Sequence, residues 1–192
     1  IAGNKNSVLP IMAAALLTDQ ISVLENVPNI SDVAVMADLL AQCGVEIINL
    51  GNSKISINPS KLKKSDLPRE LAEKLRASVV LIAPMVAKLG HIKMGYPGGD
   101  IIGRRPLDTH FQALEALGAK IKKEEDYFEV TASALRGAEI FLEEASVTAT
   151  ENAIIAASVA DGETVIKRAA SEPHIVDLCE FLIKMGAKIE GF

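Results

Sequence analysis

Apolar residues recur along this chain first at helical spacing and then at every second position, and the switch between the two rhythms happens three times. Leu9, Met12, Ala13 and Leu16 fall on one face of a helix running from Val8 to Thr18, and Val33, Met36, Leu40 and Cys43 share one face of the next. Strict alternation marks strands at Lys54-Ile55-Ser56-Ile57 and Tyr127-Phe128-Glu129-Val130. Gly51-Asn52-Ser53 leads into the first of these and Glu125-Asp126 into the second, so both read as hairpins.

The rhythm is organised as a repeat. Gly44-Val45-Glu46-Ile47, Gly118-Ala119-Lys120-Ile121 and Gly186-Ala187-Lys188-Ile189 each follow an amphipathic helix and open a strand-like run. Ser31-Asp32, Pro106-Leu107-Asp108 and Glu172-Pro173 start those helices, and the glycines stop them. Strands over Ile21 to Val27, His91 to Tyr96 and Thr164 to Arg168 come before them. Each strand is preceded in turn by an apolar helix: Val8 to Thr18, Leu71 to Leu89 and Ala149 to Ala160. The expectation is an α/β chain of three units, about 1–65, 66–145 and 146–192. The third lacks a return strand, and the chain opens on Ile1, so a piece of a longer polypeptide is expected.

Composition narrows the class. With 192 residues, 49% apolar and 23% charged, the chain can bury one real core. Its longest apolar stretch, Ala77 to Val86, contains Pro84 and falls short of the about 20 residues a bilayer requires, so neither a membrane partner nor a span is expected. No secretory leader is recognisable, and a cytoplasmic location is expected. A net charge of −5 and 4% aromatics argue against nucleic-acid binding. Cys43 and Cys179 read as small buried residues at helix ends; no His stands at metal-like spacing to them, and no metal is expected.

An anionic ligand must therefore meet local cations. The run Pro97-Gly98-Gly99-Asp100-Ile101-Ile102-Gly103-Arg104-Arg105-Pro106 combines a flexible turn, one acid, two guanidiniums and a Pro-started helix with unpaired N–H groups. Glycine lets backbone approach a ligand, and arginine suits phosphate or carboxylate. Spacing alone also fits a plain solvated turn. Lys5, in Gly3-Asn4-Lys5-Asn6-Ser7, could present an ammonium beside a helix start or simply be a surface lysine. Thr148 and Glu151, in Ser146-Val147-Thr148-Ala149-Thr150-Glu151, have capping-box spacing. Arg76 enters an apolar helix and needs a partner if buried. If the units pack about a pseudo-threefold axis, these helix starts and cations converge on one face.

Taken in order, GNKN at Gly3, LRAS at Leu75, PGGDIIGRRPLDTH at Pro97, SVTATEN at Ser146 and EPHIVDL at Glu172 resemble the UDP-N-acetylglucosamine enolpyruvyl transferases, the MurA enzymes. The resemblance covers essentially the whole chain, and its loop at Pro97 is not shared by the related EPSP synthases. It implies an inverse α/β prism, an EPSP synthase-like fold of three βαβαββ-type repeats with helices inside and sheets outside, and a second similar domain absent here. It also implies transfer of enolpyruvyl from phosphoenolpyruvate to the 3-hydroxyl of UDP-N-acetylglucosamine, with no cofactor. Lys5 and Arg105 would hold phosphoenolpyruvate, with Asn6 and Arg76 helping to fix the substrates. Arg105, Pro106, Leu107, Asp108 and Thr109 would hold the uridine side, with Ser146, Val147 and Thr148 near the diphosphate. Asp100 stands where most members carry the proton-donating cysteine, which implies insensitivity to fosfomycin, a drug that alkylates that thiol. Thr148 replaces a usual glycine and Ser171 a usual arginine. A different acceptor, such as shikimate 3-phosphate, and a non-catalytic UDP-sugar-binding paralogue are the alternatives.

Overall fold

The computed structural model describes residues 3–98 and 106–192. Its helices and strands alternate as the two rhythms require, except that the run opened by Gly186 pairs with no other segment among the described residues and forms no strand over 187–192. Helix α1 spans Lys5–Ala14 and continues as a 3₁₀ turn over Ala15–Leu17. It starts earlier than its apolar face because Asn4 caps it, the Asn4 Oδ1 accepting from the Asn6 N–H at 2.7 Å. Strand β1 (Ser22–Leu24) leads to α2 (Ser31–Gln42), then to the hairpin of β2 (Glu46–Gly51) and β3 (Lys54–Asn58). In the second unit β4 (His91–Gly95) precedes α5 (Asp108–Ala116), β5 (Lys120–Lys123) and β6 (Tyr127–Thr131). The three glycines that stop helices have φ values of 100°, 96° and 108° at Gly44, Gly118 and Gly186, the left-handed exit glycine supplies without a steric penalty.

One predicted helix is not continuous. Residues 71–89 divide into α3 (Arg69–Ala72), a 3₁₀ segment (Arg76–Leu81) and α4 (Ile82–Leu89). Pro84 has no N–H to give the carbonyl four residues earlier, and its ring would collide with that carbonyl. Regular α geometry therefore begins at Ile82, which puts Pro84 in the first turn, where no intrahelical donor is needed.

Among the described residues three separate sheets result, with orders β1-β3-β2, β4-β6-β5 and, in the third, β7 (Glu139–Phe141) beside β8 (Val165–Lys167). The pairs in the first two are antiparallel. Strand β7 (Glu139–Phe141) has no counterpart in the sequence reading. It runs parallel to β8 (Val165–Lys167), with Ile140 opposite Ile166, and so hydrogen-bonds with the third unit although it lies before residue 146. A parallel bridge between Asp66 and Lys93, both in the second unit, pairs β4 on a smaller scale. In both cases a helical crossover joins the parallel partners.

Helix α6 (Val147–Ala157) lies at the centre, with every residue from Ala149 to Ala156 buried. It packs on α4, α5, the 3₁₀ segment and α7 (Pro173–Lys184), while α1 packs on α2, α7 and the 3₁₀ segment. Helices are inside, and the sheets turn one face outward, where Val23 and Ile48 flank Ser56 in register. Phe128 on β6 anchors both ends of the loop that begins at Pro97: its ring lies 5.4 Å from Tyr96 and 5.0 Å from Phe111.

Candidate functional site

Arg76 opens the 3₁₀ segment half-buried, and its Nη1 donates to the Pro97 carbonyl at 3.4 Å. The cation in the apolar segment thus has its partner at the entry to the Gly-rich loop. Gly98 continues that entry with no room for a side chain, since a Cβ there would sit 2.0 Å from the Glu73 carbonyl oxygen. The glycine is needed for close backbone approach, here to the chain's own α3. Asp100, Arg104 and Arg105 lie outside the described residues.

The loop returns at Pro106, which is exposed, and Leu107, which is buried. Asp108 is exposed and ion-paired to Lys123 Nζ at 2.9 Å. The hydrogen bond and charge of Lys123 lower its pKa. Thr109 is buried, its Oγ1 3.5 Å from Glu144 Oε1. His110, only 2% exposed, reaches across to α6, where its Nε2 lies 2.7 Å from Thr148 Oγ1. Burial, with Arg76's charge second, pushes its pKa down to about 4, so the ring is neutral at ordinary pH.

The start of α6 differs from the capping box expected between Thr148 and Glu151. Ser146 is the cap, its Oγ accepting from the Ala149 N–H at 3.4 Å. Thr148 lies inside the first turn with its hydroxyl on His110, and Glu151 is buried rather than folded back on the cap. Burial first, and the neighbouring Glu172 charge second, push Glu151 up to about 8, so it is mostly protonated at neutral pH. Next to it, Asn152 Oδ1 accepts from the Ala83 N–H at 3.0 Å. Its Nδ2 donates to the carbonyls of Val79 (3.1 Å) and Thr148 (3.0 Å). One side chain thereby bonds the Ala83 N–H and the Val79 carbonyl where the 3₁₀ segment passes into α4.

The structure thus brings together Arg76, Pro97, Thr109, His110, Ser146, Val147 and Thr148, at the start of the 3₁₀ segment and the first turns of α5 and α6. Lys5 and Asn6 are exposed at the start of α1, and Lys5 Nζ lies 3.4 Å from Asp32 rather than on any of that group. Their helix nevertheless packs on the segment Arg76 opens. Ser171 is exposed just before α7. His110 had no role in the sequence reading, Glu151 only that of a capping-box partner, and Asn152 none. A signal for the latter two was present, since a Glu and an Asn inside an otherwise apolar helix must be hydrogen-bonded or neutralised if buried. Among the described residues no helix is long and apolar enough to cross a membrane.

A family model described as EPSP synthase (3-phosphoshikimate 1-carboxyvinyltransferase) matches residues 1–192. The UDP-N-acetylglucosamine 1-carboxyvinyltransferase of Borrelia garinii subsp. bavariensis is 49% identical over 190 residues, 99% of this chain and 44% of the relative. That of Treponema pallidum is 46% identical over 191 residues, 100% of this chain and 45% of the relative. Among solved structures, the enolpyruvyl transferase NikO from Streptomyces tendae superposes with a TM-score of 0.86 at 19% identity, over 98% of this chain and 44% of that one. EPSP synthase from Acinetobacter baumannii gives 0.72 at 19% identity, over 92% and 42%. At such identities the structural likeness speaks to fold, and the inverse α/β prism is consistent with it. The chain spans less than half the length of the relatives it matches.

Proposed function

Because the chain belongs to the EPSP synthase family of enolpyruvyl transferases, we propose that the whole protein transfers enolpyruvyl from phosphoenolpyruvate to the 3-hydroxyl of UDP-N-acetylglucosamine. Phosphate is released, in the first committed step of peptidoglycan synthesis. The observation that carries this reading is 49% identity over 99% of the chain to a UDP-N-acetylglucosamine 1-carboxyvinyltransferase. A cytoplasmic location and a part in cell shape and division accompany that step.

The acceptor hydroxyl gives up its proton as its oxygen adds to C2 of phosphoenolpyruvate and a proton is delivered to C3; removal of a C3 proton and departure of phosphate, which takes up the proton the hydroxyl lost, then give the enol ether. The chemistry asks for one group that gives and takes a proton, beside cations that hold phosphate and carboxylate. Asp100 is assigned the first role, and Lys5 and Arg105 the second. Asn6 and Arg76 help to fix the substrates. Arg105, Pro106, Leu107, Asp108 and Thr109 face the uridine, and Ser146, Val147 and Thr148 the diphosphate. The grouping of Arg76 with the first turns of α5 and α6 supports this assignment, because the free N–H groups of two helix starts and one guanidinium favour an anion. Thr148 contributes its backbone there, since its hydroxyl is engaged by His110.

The rest of the protein supplies a second domain that closes over the substrates, so the 192-residue chain alone is inactive. Phosphate release by the full-length protein tests the reading. Turnover is expected with phosphoenolpyruvate plus UDP-N-acetylglucosamine; turnover only with shikimate 3-phosphate, or ligand binding without turnover, would overturn it. Asp100 lacks the thiol that fosfomycin alkylates, and a carboxylate is a poor substitute nucleophile. Full activity in the presence of the drug is therefore expected, and covalent labelling of Asp100 detected by mass spectrometry would refute it.

A further inference from the structure

His110 is a buried titratable group that the proposed reaction does not use, and its two ring nitrogens have different surroundings. Nε2 lies 2.7 Å from Thr148 Oγ1, whereas Nδ1 is buried without a hydrogen-bond partner among the described residues. The ring is neutral, so it carries one N–H, and the surroundings choose which nitrogen bears it. With the proton on Nε2, the ring would donate to Thr148, leaving the hydroxyl proton with no acceptor among the described residues and Nδ1 as a second unmet group. With the proton on Nδ1, Thr148 donates to Nε2 and only the Nδ1–H is unmet. An unmet group costs about 1–3 kcal/mol where it is buried, and less at the half-buried Thr148 hydroxyl, so the second arrangement, with fewer unmet groups, is favoured.

From this geometry we infer that Thr148 and His110 are a pair of positioning residues, the Thr148 hydroxyl holding the ring as the Nδ1–H tautomer and tying the first turn of α5 to the first turn of α6. Thr148 is itself held from behind, because its carbonyl accepts from Asn152, which also binds Val79 and Ala83. The connection therefore runs from α5 through His110, Thr148 and Asn152 to the start of α4, at the end of the segment that Arg76 opens. Beside the packing of α5 on α6, the polar links here are His110–Thr148 at 2.7 Å and the longer Thr109–Glu144 contact at 3.5 Å, so the His110–Thr148 bond is the shorter tie between these turns. Resting on the function proposed above, the two turns are those assigned to the uridine and the diphosphate. Fixing their separation sets the affinity for the UDP-sugar.

The experiment uses full-length protein labelled with ¹⁵N-histidine, with Thr148→Val removing the hydroxyl at nearly constant shape and Thr148→Ser keeping it. Long-range proton–nitrogen spectra report which ring nitrogen of His110 is protonated, and titration calorimetry reports UDP-N-acetylglucosamine affinity. The expected result is the Nδ1–H tautomer in the parent and in Thr148→Ser, and a mixture in Thr148→Val. The Kd and KM for the UDP-sugar should rise about tenfold in Thr148→Val, equivalent to about 1.4 kcal/mol, with recovery in Thr148→Ser. An Nε2–H ring in the parent, unchanged affinity in Thr148→Val, or failure of Thr148→Ser to recover would each overturn the inference. If the parent does not bind UDP-N-acetylglucosamine at all, the proposed function falls, while the tautomer spectra of parent and variants still decide the pair.

Discussion

Replacing Glu151 by glutamine should remove a pH-dependent weakness from the fold. Glu151 sits 2% exposed in the middle of α6, and burial together with the charge of Glu172 raises it from its ordinary 4.5 to about 8. Between those values the folded chain keeps a proton that the unfolded chain has released. Raising the pH therefore favours unfolding, by about 1.4 kcal/mol per pH unit. His110 acts in the opposite sense. Its ring is lowered from 6.5 to about 4, so the unfolded chain takes up the proton first as pH falls, and acidification favours unfolding at the same slope. From pH 4.5 to 6.5 the two slopes cancel and stability is flat. From pH 6.5 to 8 Glu151 acts alone of the two, and the chain should lose about 2 kcal/mol. That is a large part of the roughly 5–15 kcal/mol that holds a typical domain together. Urea unfolding at pH 4.5, 6.5 and 8, followed by circular dichroism, would read the loss as a midpoint lower by roughly 1 M. Glu151→Gln keeps the shape of the protonated acid and has nothing to ionise. It should hold its midpoint from pH 6.5 to 8 and show the His110 decline, now uncompensated, below 6.5. A parent midpoint unchanged between pH 6.5 and 8, or an equal decline in the variant, would refute the reasoning.

Two further substitutions test the elements around the site. Asn152→Ala leaves the Ala83 N–H and the Val79 and Thr148 carbonyls without their side-chain partner. A loss of about 3 kcal/mol in urea unfolding is expected, and less than 1 kcal/mol would mean that the groups find other partners. In Gly98→Ala the new methyl would meet the Glu73 carbonyl at 2.0 Å, so the loop must move off α3. In the full-length protein kcat/KM should fall on the order of 10²-fold, because displacement of a positioning loop is felt at the reacting atoms. Unchanged steady-state kinetics would show that the loop's entry does not set the site.

Much of the fold is legible along the chain because the signals are local. A glycine after an amphipathic run ends a helix wherever it stands, and Gly44, Gly118 and Gly186 all do so with positive φ. The hairpins at Gly51-Asn52-Ser53 and before Tyr127 follow from turn chemistry and alternation alone. The exceptions share a cause. Residues 71–89 read as one helix because their apolar run is continuous, but Pro84 delays regular α geometry to Ile82, and a side chain from α6 bonds backbone groups at that junction. Thr148 and Glu151 have capping-box spacing, yet Ser146 takes the cap, a histidine from α5 takes the Thr148 hydroxyl, and the helical core encloses Glu151. Strand β7 is three residues long and gains its identity from β8, its parallel partner in the third unit.

By itself, then, the order of residues determined the alternation of elements, the threefold repeat and the family, since each rests on spacing and short motifs that neighbouring residues read within a turn or two. Tertiary structure decided which elements touch, and with that the chemical state of the polar groups at the site. Desolvation and hydrogen bonding depend on atoms brought from distant parts of the chain. Glu151 becomes a neutral acid because α6 is enclosed on nearly all sides. His110 becomes a neutral ring held on one nitrogen because α5 and α6 meet at their first turns. Arg76 finds its acceptor at Pro97 because the chain returns there through β4.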